Sequence, residues 1–230
     1  PQLVKALVAM KEELGIESVV IALKEHYHDE TKALQAAINA VNAPIRLHLM
    51  ESFYPAGDEQ TIVYEVTGRV VPPASIPIAV GAVVNNVATV YAISQAMENI
   101  PLTQKILTVT GEVKKPTVLC VPVGTSYREC IRLAGGTLNS TYFVVSGGPM
   151  MGIAVPTLDE PILKNTNAIL AFNDKDATLP DETPCIRCGN CINHCPLNLN
   201  PPAIAKALAS GDGAEIAKTK VNICMECGAC

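Results

Sequence analysis

Residues 184–196 read PCIRCGNCINHCP and contain four closely spaced cysteines. These cysteines, Cys185, Cys188, Cys191 and Cys195, follow the spacing C-x2-C-x2-C-x3-C-P, which is the ligand run of bacterial ferredoxins for a [4Fe–4S] cluster. Thiolates at this spacing can occupy three corners of a cubane, while an intervening glycine lets the backbone approach the sulfides. The stretch therefore predicts an iron–sulfur domain.

A second cysteine run ends the sequence. Residues 224–230 read CMECGAC and place Cys224, Cys227 and Cys230 at the same spacings. In two-cluster ferredoxins the last cysteine of each run ligates the other cluster. Crossed ligation would join Cys195 to the second run and leave the first cluster one ligand short. Because the run stops on its third thiol and the sequence starts without methionine, we expect the middle part of a longer protein.

Disulfides and zinc are the alternative uses of clustered cysteines. An acidic chain without an export signal favours a reducing compartment, in which disulfides do not persist. Zinc takes two pairs of ligands separated by a spacer, and this pattern exceeds what one tetrahedral site needs. Iron–sulfur chemistry is therefore favoured. Cys120 and Cys130 stand apart in apolar or amphipathic contexts, and we interpret them as small buried side chains.

Composition limits the possible classes of protein. The 230 residues allow one large domain or two small ones. A net charge of −5, from 17 basic and 22 acidic residues, disfavours nucleic acid and acidic lipid as partners. With 49% apolar and 17% charged residues the chain is not disordered. The longest apolar stretch, 70–84, is interrupted by prolines and a glycine, so no membrane span is predicted.

Residues 1–104 have the pattern of a Rossmann-like α/β domain whose amino-terminal part is incomplete. The predicted elements are a helix over 2–14 ended by Gly15, a strand over 18–23, a helix over 29–43, a strand over 45–50, an irregular loop with a short helix or strand over 53–73, a strand over 80–84 and a helix over 87–97. Asn85 and Asn86 lie at the last strand-to-helix junction. They can cap the helix or reach a ligand, and the sequence leaves both roles open.

Residues 105–155 have the pattern of a β-grasp domain. Strands are predicted over 107–113 and 117–123, a helix over 126–134 and a strand over 142–146. The following GGPMMG, residues 147–152, lacks the order of a phosphate-binding loop and is interpreted as a tight turn beside the α/β domain. Residues 156–183 are predicted to be a linker, and 184–230 a small α-helical two-cluster ferredoxin-type domain with two short helices between its cysteine runs.

Several motifs occur in one order along the chain: FYPAGDE at 53–59, VVNNVAT at 83–89, TVTGEV at 108–113, VPVGTSYREC at 121–130, GGPMMG and the cysteine runs. Together they resemble the family that contains the Rnf-complex C subunit and the cobalamin reductase of propanediol-utilisation microcompartments, over almost the whole chain. The segment YPAGDE is more similar to the cobalamin reductase. A more distant resemblance is to the flavin subunit of respiratory complex I, in which a β-grasp (SLBB-like) domain and an iron–sulfur domain also follow the flavin domain.

The resemblance implies an oxidoreductase that passes electrons from NADH through FMN to two [4Fe–4S] clusters. It implies a redox partner, either a corrinoid enzyme or, for an Rnf-like subunit, membrane-bound electron-transfer flavoproteins. It also implies a bacterial cytoplasmic location, in a microcompartment or at the inner face of the membrane. On matching positions, the residues implied to line the flavin and nicotinamide are Tyr54, Gly57, Asp58 and Glu59, and those implied to contact the flavin are Asn85, Asn86 and Thr89. The family's glycine-rich flavin loop lies upstream of these residues, so the segment alone is expected to be inactive.

The chemistry supports a flavin independently of the resemblance. NADH delivers two electrons as a hydride and a [4Fe–4S] cluster accepts one at a time, and flavin can do both. Asp58 and Glu59 could hydrogen-bond ribose hydroxyls or tune the flavin, although exposed acids in loops are also ordinary. Two other functions stay open at this point: an electron wire or docking subunit without flavin, and a zinc-stabilised binding module.

Overall fold

The computed structural model describes residues 1–138, 141–178 and 180–230. Its helices and strands are α1 (Gln2–Glu13), β1 (Val19–Lys24), α2 (His28–Ala40), β2 (Ile45–Met50), α3 (Glu59–Thr67), α4 (Val87–Ala96), β3 (Gln104–Gly111), β4 (Thr117–Pro122), α5 (Tyr127–Leu133), β5 (Thr141–Ser146), β6 (Ile153–Ala154), β7 (Ala168–Asn173), α6 (Asp174–Ala177), α7 (Asn190–Asn193), α8 (Pro201–Ser210) and α9 (Gly213–Lys218). Short 3₁₀ helices cover Pro77–Val80 and Val221–Ile223. The chain divides into two units, 1–101 with 213–223 and 102–212 with 224–230.

The first unit is built on two parallel strands joined by a helix. β1 pairs with β2 in parallel, in a register from Val19–Ile45 to Lys24–Met50, so the carboxyl ends of both strands lie at one edge. A parallel pair needs a crossover connection, and α2 supplies it. α1 and α2 cover the sheet with apolar side chains. The buried core consists of Val4, Val19, Ile38 and Ile45.

The strand predicted over residues 80–84 is wrong. Pro77 opens a 3₁₀ helix that ends at Gly81, which has a φ of 71°. The carbonyl oxygen of Val80 accepts a hydrogen bond of 2.8 Å from Nη1 of Arg69. An arginine side chain therefore satisfies a backbone group that a strand would satisfy in a ladder. The apolar run over 80–84 gave the false signal because it is β-branched and short, and such runs do not distinguish a strand from other buried segments.

The second unit contains a five-stranded sheet in the order β4-β3-β7-β5-β6. β3 and β4 form an antiparallel pair, as the sequence predicted, and α5 lies in the predicted segment. α5 and the sheet share a core in which Leu107, Val109, Cys130 and Ile169 are at most 2% exposed. The rings of Phe143 and Phe172 stack across β5 and β7 with centroids 5.3 Å apart.

The prediction that residues 156–183 form a linker is wrong for residues 168–173. These residues form β7, which pairs in parallel with β3 and antiparallel with β5 and so occupies the middle of the sheet. Ile169 is fully buried and Ala171 is 3% exposed. Turn residues and charges on both sides of a six-residue strand hid its apolar pattern.

The segment between the cysteine runs is helical, as predicted. α8 begins after Asn200, whose Oδ1 accepts a hydrogen bond of 3.1 Å from the backbone N–H of Ala203. It ends at Gly211, which has a φ of 68°, and α9 begins two residues later. Among the described residues, no helix combines the length and the apolar character that crossing a membrane requires.

Candidate functional site

The two cysteine runs follow the same backbone path. In the first run Arg187 and Gly189, on either side of the middle cysteine, have φ values of 59° and 78°. In the second run Glu226 and Gly228 occupy the matching positions with φ values of 53° and 75°. A residue with a side chain rarely adopts positive φ, and holding it there costs about 1–3 kcal/mol. The same local strain at matching positions indicates that both runs are shaped for one kind of ligand.

Backbone N–H groups point at one sulfur in each run. The N–H of Leu199 donates to Cys195 Sγ over 3.3 Å, and the N–H of Glu226 donates to Cys224 Sγ over 3.4 Å. Donors of this kind stabilise the thiolate form that binds metal, and they tune the reduction potential of a cluster. The donor set is therefore suited to iron–sulfur ligation.

The cysteines differ in exposure. Cys185, Cys188, Cys224 and Cys230 are exposed, Cys191 and Cys195 are half-buried, and Cys227 is 8% exposed. Within the described ranges no disulfide joins any of the nine cysteines. In the same residues, no three His, Cys, Asp or Glu side chains already converge as ligands for a metal ion. The spacing, the repeated backbone path and the N–H donors nevertheless fit an iron–sulfur cluster.

The segment that carries Tyr54, Gly57, Asp58 and Glu59 leaves the carboxyl end of β2. Ligands of parallel α/β sheets bind at this edge, because the loops there leave a crevice open. Asp58 begins α3, and its Oδ1 accepts hydrogen bonds of 2.9 Å and 3.1 Å from the N–H groups of Gln60 and Thr61. Tyr54, Gly57 and Glu59 are exposed. The structure therefore gives Asp58 a capping role.

Asn85, Asn86 and Thr89 lie at the start of α4. Oδ1 of Asn86 accepts a hydrogen bond of 2.9 Å from the N–H of Ala88, so Asn86 caps this helix. Asn85 and Thr89 are exposed. α3 contacts the 3₁₀ helix Pro77–Val80, after which the chain continues to Asn85. Capping and ligand binding were both open for Asn86 in the sequence, and the structure identifies the cap.

The turn GGPMMG lies against the second cysteine run, and no sequence pattern predicts this contact. A β-carbon built on Gly228 would lie 3.1 Å from the carbonyl oxygen of Met150 and 3.8 Å from its Cε. The two residues are 78 positions apart in the sequence, so no local pattern indicates the contact. The unusual glycine content of 147–152 was the available signal that this turn approaches another backbone closely.

Of the two isolated cysteines, Cys130 is fully buried, as predicted, and Cys120 is exposed. Cys120 faces outward from β4, an edge strand, and its Sγ lies 3.4 Å from Oε1 of Gln104. The apolar stretch around Cys120 alternates between buried and exposed positions because only one face of this sheet covers the core.

Three family models match the chain in succession. The Nuo51 FMN-binding domain matches residues 1–95, the SLBB domain residues 106–154 and the 4Fe-4S dicluster domain residues 178–230. The matches confirm the predicted fold class, an α/β flavin-type domain followed by a β-grasp domain and a two-cluster iron–sulfur domain.

Two relatives are similar in sequence over most of the chain. Cobalamin reductase PduS of Citrobacter freundii is 38% identical, over 94% of this chain and 51% of that protein. The C subunit of the proton-translocating ferredoxin:NAD(+) oxidoreductase complex of Clostridium ljungdahlii is 35% identical, over 91% of this chain and 46% of that protein. The chain therefore spans about half the length of these relatives.

A solved structure has the same fold. A chain of the NAD+-reducing [NiFe]-hydrogenase in the H2-reduced state superposes with a TM-score of 0.64 at 19% identity, over 76% of this chain and 36% of that chain. The predicted resemblance is confirmed by the relatives, and the chain is a homologue of the cobalamin reductases and of the C subunits of ferredoxin:NAD(+) oxidoreductase complexes.

Proposed function

We propose that the protein is an electron-transfer oxidoreductase that moves electrons from NADH through FMN to two [4Fe–4S] clusters and on to a partner protein. The observation that carries the proposal is the cysteine run that occurs twice with one backbone path. Support comes from the FMN-binding and SLBB domains that precede it. An FMN in the first domain would accept an electron pair as a hydride and release the electrons singly.

The cysteines would hold the clusters in two sets. We propose that Cys185, Cys188 and Cys191 bind one cluster and that Cys224, Cys227 and Cys230 bind the other, with Cys195 crossing to the second set. The N–H groups of Leu199 and Glu226 then donate to thiolates rather than to neutral thiols. Such charge-assisted bonds are shorter and stronger than neutral ones, and they favour the deprotonated ligand.

The flavin-side residues would divide into two roles. Asp58 and Asn86 use Oδ1 to fix the first turns of α3 and α4, and so position the residues beside them. The exposed side chains of Tyr54, Glu59 and Asn85, together with Thr89 and the backbone of Gly57, would contact FMN or the NADH ribose. A carboxylate such as Glu59 can accept hydrogen bonds from both ribose hydroxyls.

The electron acceptor would be a corrinoid enzyme, by analogy with the relatives named cobalamin reductase. The 35% identity to the C subunit of a ferredoxin:NAD(+) oxidoreductase complex favours a second candidate, in which membrane-bound electron-transfer subunits take that place. The first candidate places the protein in the bacterial cytoplasm or a microcompartment, and the second at the inner face of the membrane. Activity with a purified corrinoid enzyme, compared with activity in a membrane fraction, distinguishes the two candidates.

The test is cofactor analysis of the whole protein purified without oxygen. We expect FMN, iron and acid-labile sulfide, and we expect NADH to bleach both the flavin and the cluster absorbance. Glu59→Ala should weaken reduction by NADH, whereas Asn86→Ser should retain flavin because serine also caps a helix. If the protein contained clusters but no flavin, the proposal would be overturned in favour of an electron wire or docking subunit. A colourless protein that contains zinc would overturn it as well.

A further inference from the structure

The turn at residues 147–152 is closed on itself by its glycines. Gly147 has a φ of 107°, and the N–H of Gly152 donates to the carbonyl of Gly148 over 2.8 Å. A β-carbon built on Gly152 would overlap Cγ1 of Val145 and the carbonyl oxygen of Gly148. The ends of the turn are fixed by the pairing of β5 with β6. The turn is therefore a constrained connection that presents the residues between its glycines in one arrangement.

The residue that this turn presents to the second cysteine run is Met150. Its carbonyl oxygen and Cε lie 3.1 Å and 3.8 Å from the position of a β-carbon on Gly228. Gly228 directly follows Cys227, which is the one buried cysteine of the two runs in the described part of the chain. A β-carbon at residue 228 would require the turn to move by a few tenths of an ångström, and the φ of 75° disfavours a side chain as well.

The first run has no such cover in the described residues. Gly189 matches Gly228 in position and in φ, yet apart from its chain neighbours no described atom lies within 4 Å of a β-carbon built on it. Cys188, the counterpart of Cys227, is exposed, and the preceding Ile186 is 85% exposed. Two runs with one backbone path thus differ in what packs against them.

We propose that the turn 147–152 covers the cluster of the second cysteine run, with Met150 as the positioning residue that excludes water from it. The inference rests on the proposed function, since it needs that cluster to exist. One-electron reduction adds a negative charge to a cluster that is already anionic. Water stabilises this charge, whereas a methionine side chain and a carbonyl oxygen do not. The cover therefore lowers the reduction potential of the second cluster. It also slows the loss of iron from this cluster.

The experiment compares Met150→Ala with Met150→Leu and Met151→Ala in the whole protein under anaerobic conditions. Leucine keeps an apolar side chain of similar volume. Met151 lies on the same turn and has a comparable exposed fraction, 60% against 46% for Met150, so it controls for loss of a methionine from the turn. An EPR-monitored redox titration gives the potential of each cluster, and the signal lost in Cys227→Ser identifies the second one. Deuterium coupling after exchange into D2O reports water at each cluster.

We expect Met150→Ala to raise the potential of the second cluster, to increase its deuterium coupling and to speed the loss of its iron to a chelator on the order of tenfold. The first cluster and both control variants should remain as in the wild type. Gly228→Ala should lower iron content more than Gly189→Ala, because both residues have positive φ and only Gly228 contacts Met150.

Two outcomes separate the inference from the proposed function. If wild-type protein contains both clusters and Met150→Ala leaves the potential, the deuterium coupling and the rate of iron loss unchanged, the turn is not a cover and the inference is overturned. If wild-type protein contains no cluster, the proposed function itself fails. Equal effects on both clusters would also overturn the inference, because they would indicate a general loss of stability.

Discussion

At the scale of single residues, Asp58 and Asn86 each fit two sequence patterns, that of a ligand-binding residue and that of a helix cap. Both follow a loop and precede a helix, as ligand-binding residues and helix caps do. Hydrogen bonds to backbone N–H groups at 2.9–3.1 Å identify both as caps. The sequence could not distinguish the roles, because the partner of each side chain depends on the backbone geometry of the first helical turn.

The capping role of Asp58 predicts a graded effect of substitution. Asp58→Ala removes the acceptor of two backbone N–H groups and should lower the free energy of unfolding of the first unit by about 1 kcal/mol. Asp58→Ser keeps an acceptor at the cap and should recover most of this loss. Urea unfolding followed by circular dichroism measures both variants. Equal destabilisation by Ala and Ser would contradict the capping role.

Cys130 and Cys120 are predicted to differ in reactivity. Burial raises the pKa of the Cys130 thiol, and the neighbouring Glu129 carboxylate raises it further. Because thiolate is the reactive form, Cys130 should react with iodoacetamide at pH 8 at least about tenfold more slowly than the exposed Cys120. Peptide mass spectrometry after timed labelling measures both rates.

The raised pKa of Cys130 also predicts how the free energy of unfolding changes with pH. The folded state holds this proton more tightly than the unfolded state, so its contribution is present below the unfolded thiol pKa of about 8.5 and is lost as pH rises through the folded pKa. Cys130→Ala should remove this part of the pH dependence. If Cys130 were labelled as fast as Cys120 in the native protein, the result would contradict the burial of the Cys130 thiol.

The cysteine ligands and the Met150–Gly228 contact differ in how far sequence can predict them. The spacing of the cysteines is local, since three thiols within seven residues can reach one cluster, and the sequence therefore carries the pattern directly. The contact of Met150 with Gly228 joins the β-grasp domain to the cysteine run and depends on packing. Gly228 and the glycines of the turn 147–152 mark places where two backbones come close. The sequence does not say which backbone each glycine approaches.

At the scale of elements, β7 shows why the linker prediction failed. The six residues of this strand are flanked by prolines, asparagines and charges, and the pattern of the surrounding segment outweighed theirs. β7 nevertheless pairs with strands on both sides. A strand in the middle of a sheet can therefore be missed when it is short and its neighbours in sequence resemble loops.

The central position of β7 predicts a large effect of shortening Ile169. This side chain is fully buried among β-grasp core residues, and Ile169→Ala should lower the free energy of unfolding of the second unit by about 3 kcal/mol. Ile153 in β6 is 76% exposed, so Ile153→Ala is a matched control that should cost less than about 0.5 kcal/mol. Denaturant titration measures the two differences.

The outcome for β7 also tests the linker interpretation. If Ile169→Ala cost no more than Ile153→Ala, the segment would contribute little to the sheet, as a linker would. The two variants remove the same atoms from two strands of one sheet, so unfolded-state effects largely cancel in the comparison.

At the scale of the whole molecule, three domains follow one another in the order that the sequence motifs predicted. A domain matching the FMN-binding family precedes the SLBB domain, and the dicluster domain follows both. The order was predictable because each domain carries its own local motifs. The assignment of each thiol to a cluster stays a prediction from the ferredoxin pattern, because α8 and α9 separate Cys195 from the second run and local spacing alone does not join them.

Crossed ligation is a property of the whole iron–sulfur domain, and it gives the last prediction. In the whole protein with two clusters, Cys188→Ser and Cys227→Ser should each remove about half of the iron, about four of eight atoms, and each should abolish a different EPR signal. If Cys195 crosses to the second run, Cys195→Ser must abolish the signal that Cys227→Ser abolishes, although Cys195 is closer in sequence to Cys188. Cys120→Ser controls for loss of a thiol elsewhere and should change neither signal.

The opposite pairing has an equally clear signature. If Cys195→Ser abolished the signal of Cys188→Ser, the first run would close its own cluster, and the helices between the runs would separate two independent sites. Crossed ligation ties the second cluster to the first run through Cys195, so loss of this thiol should also free the chain that positions Cys185, Cys188 and Cys191. A slower secondary loss of iron from the first cluster in Cys195→Ser, absent in Cys120→Ser, would therefore support the crossed arrangement.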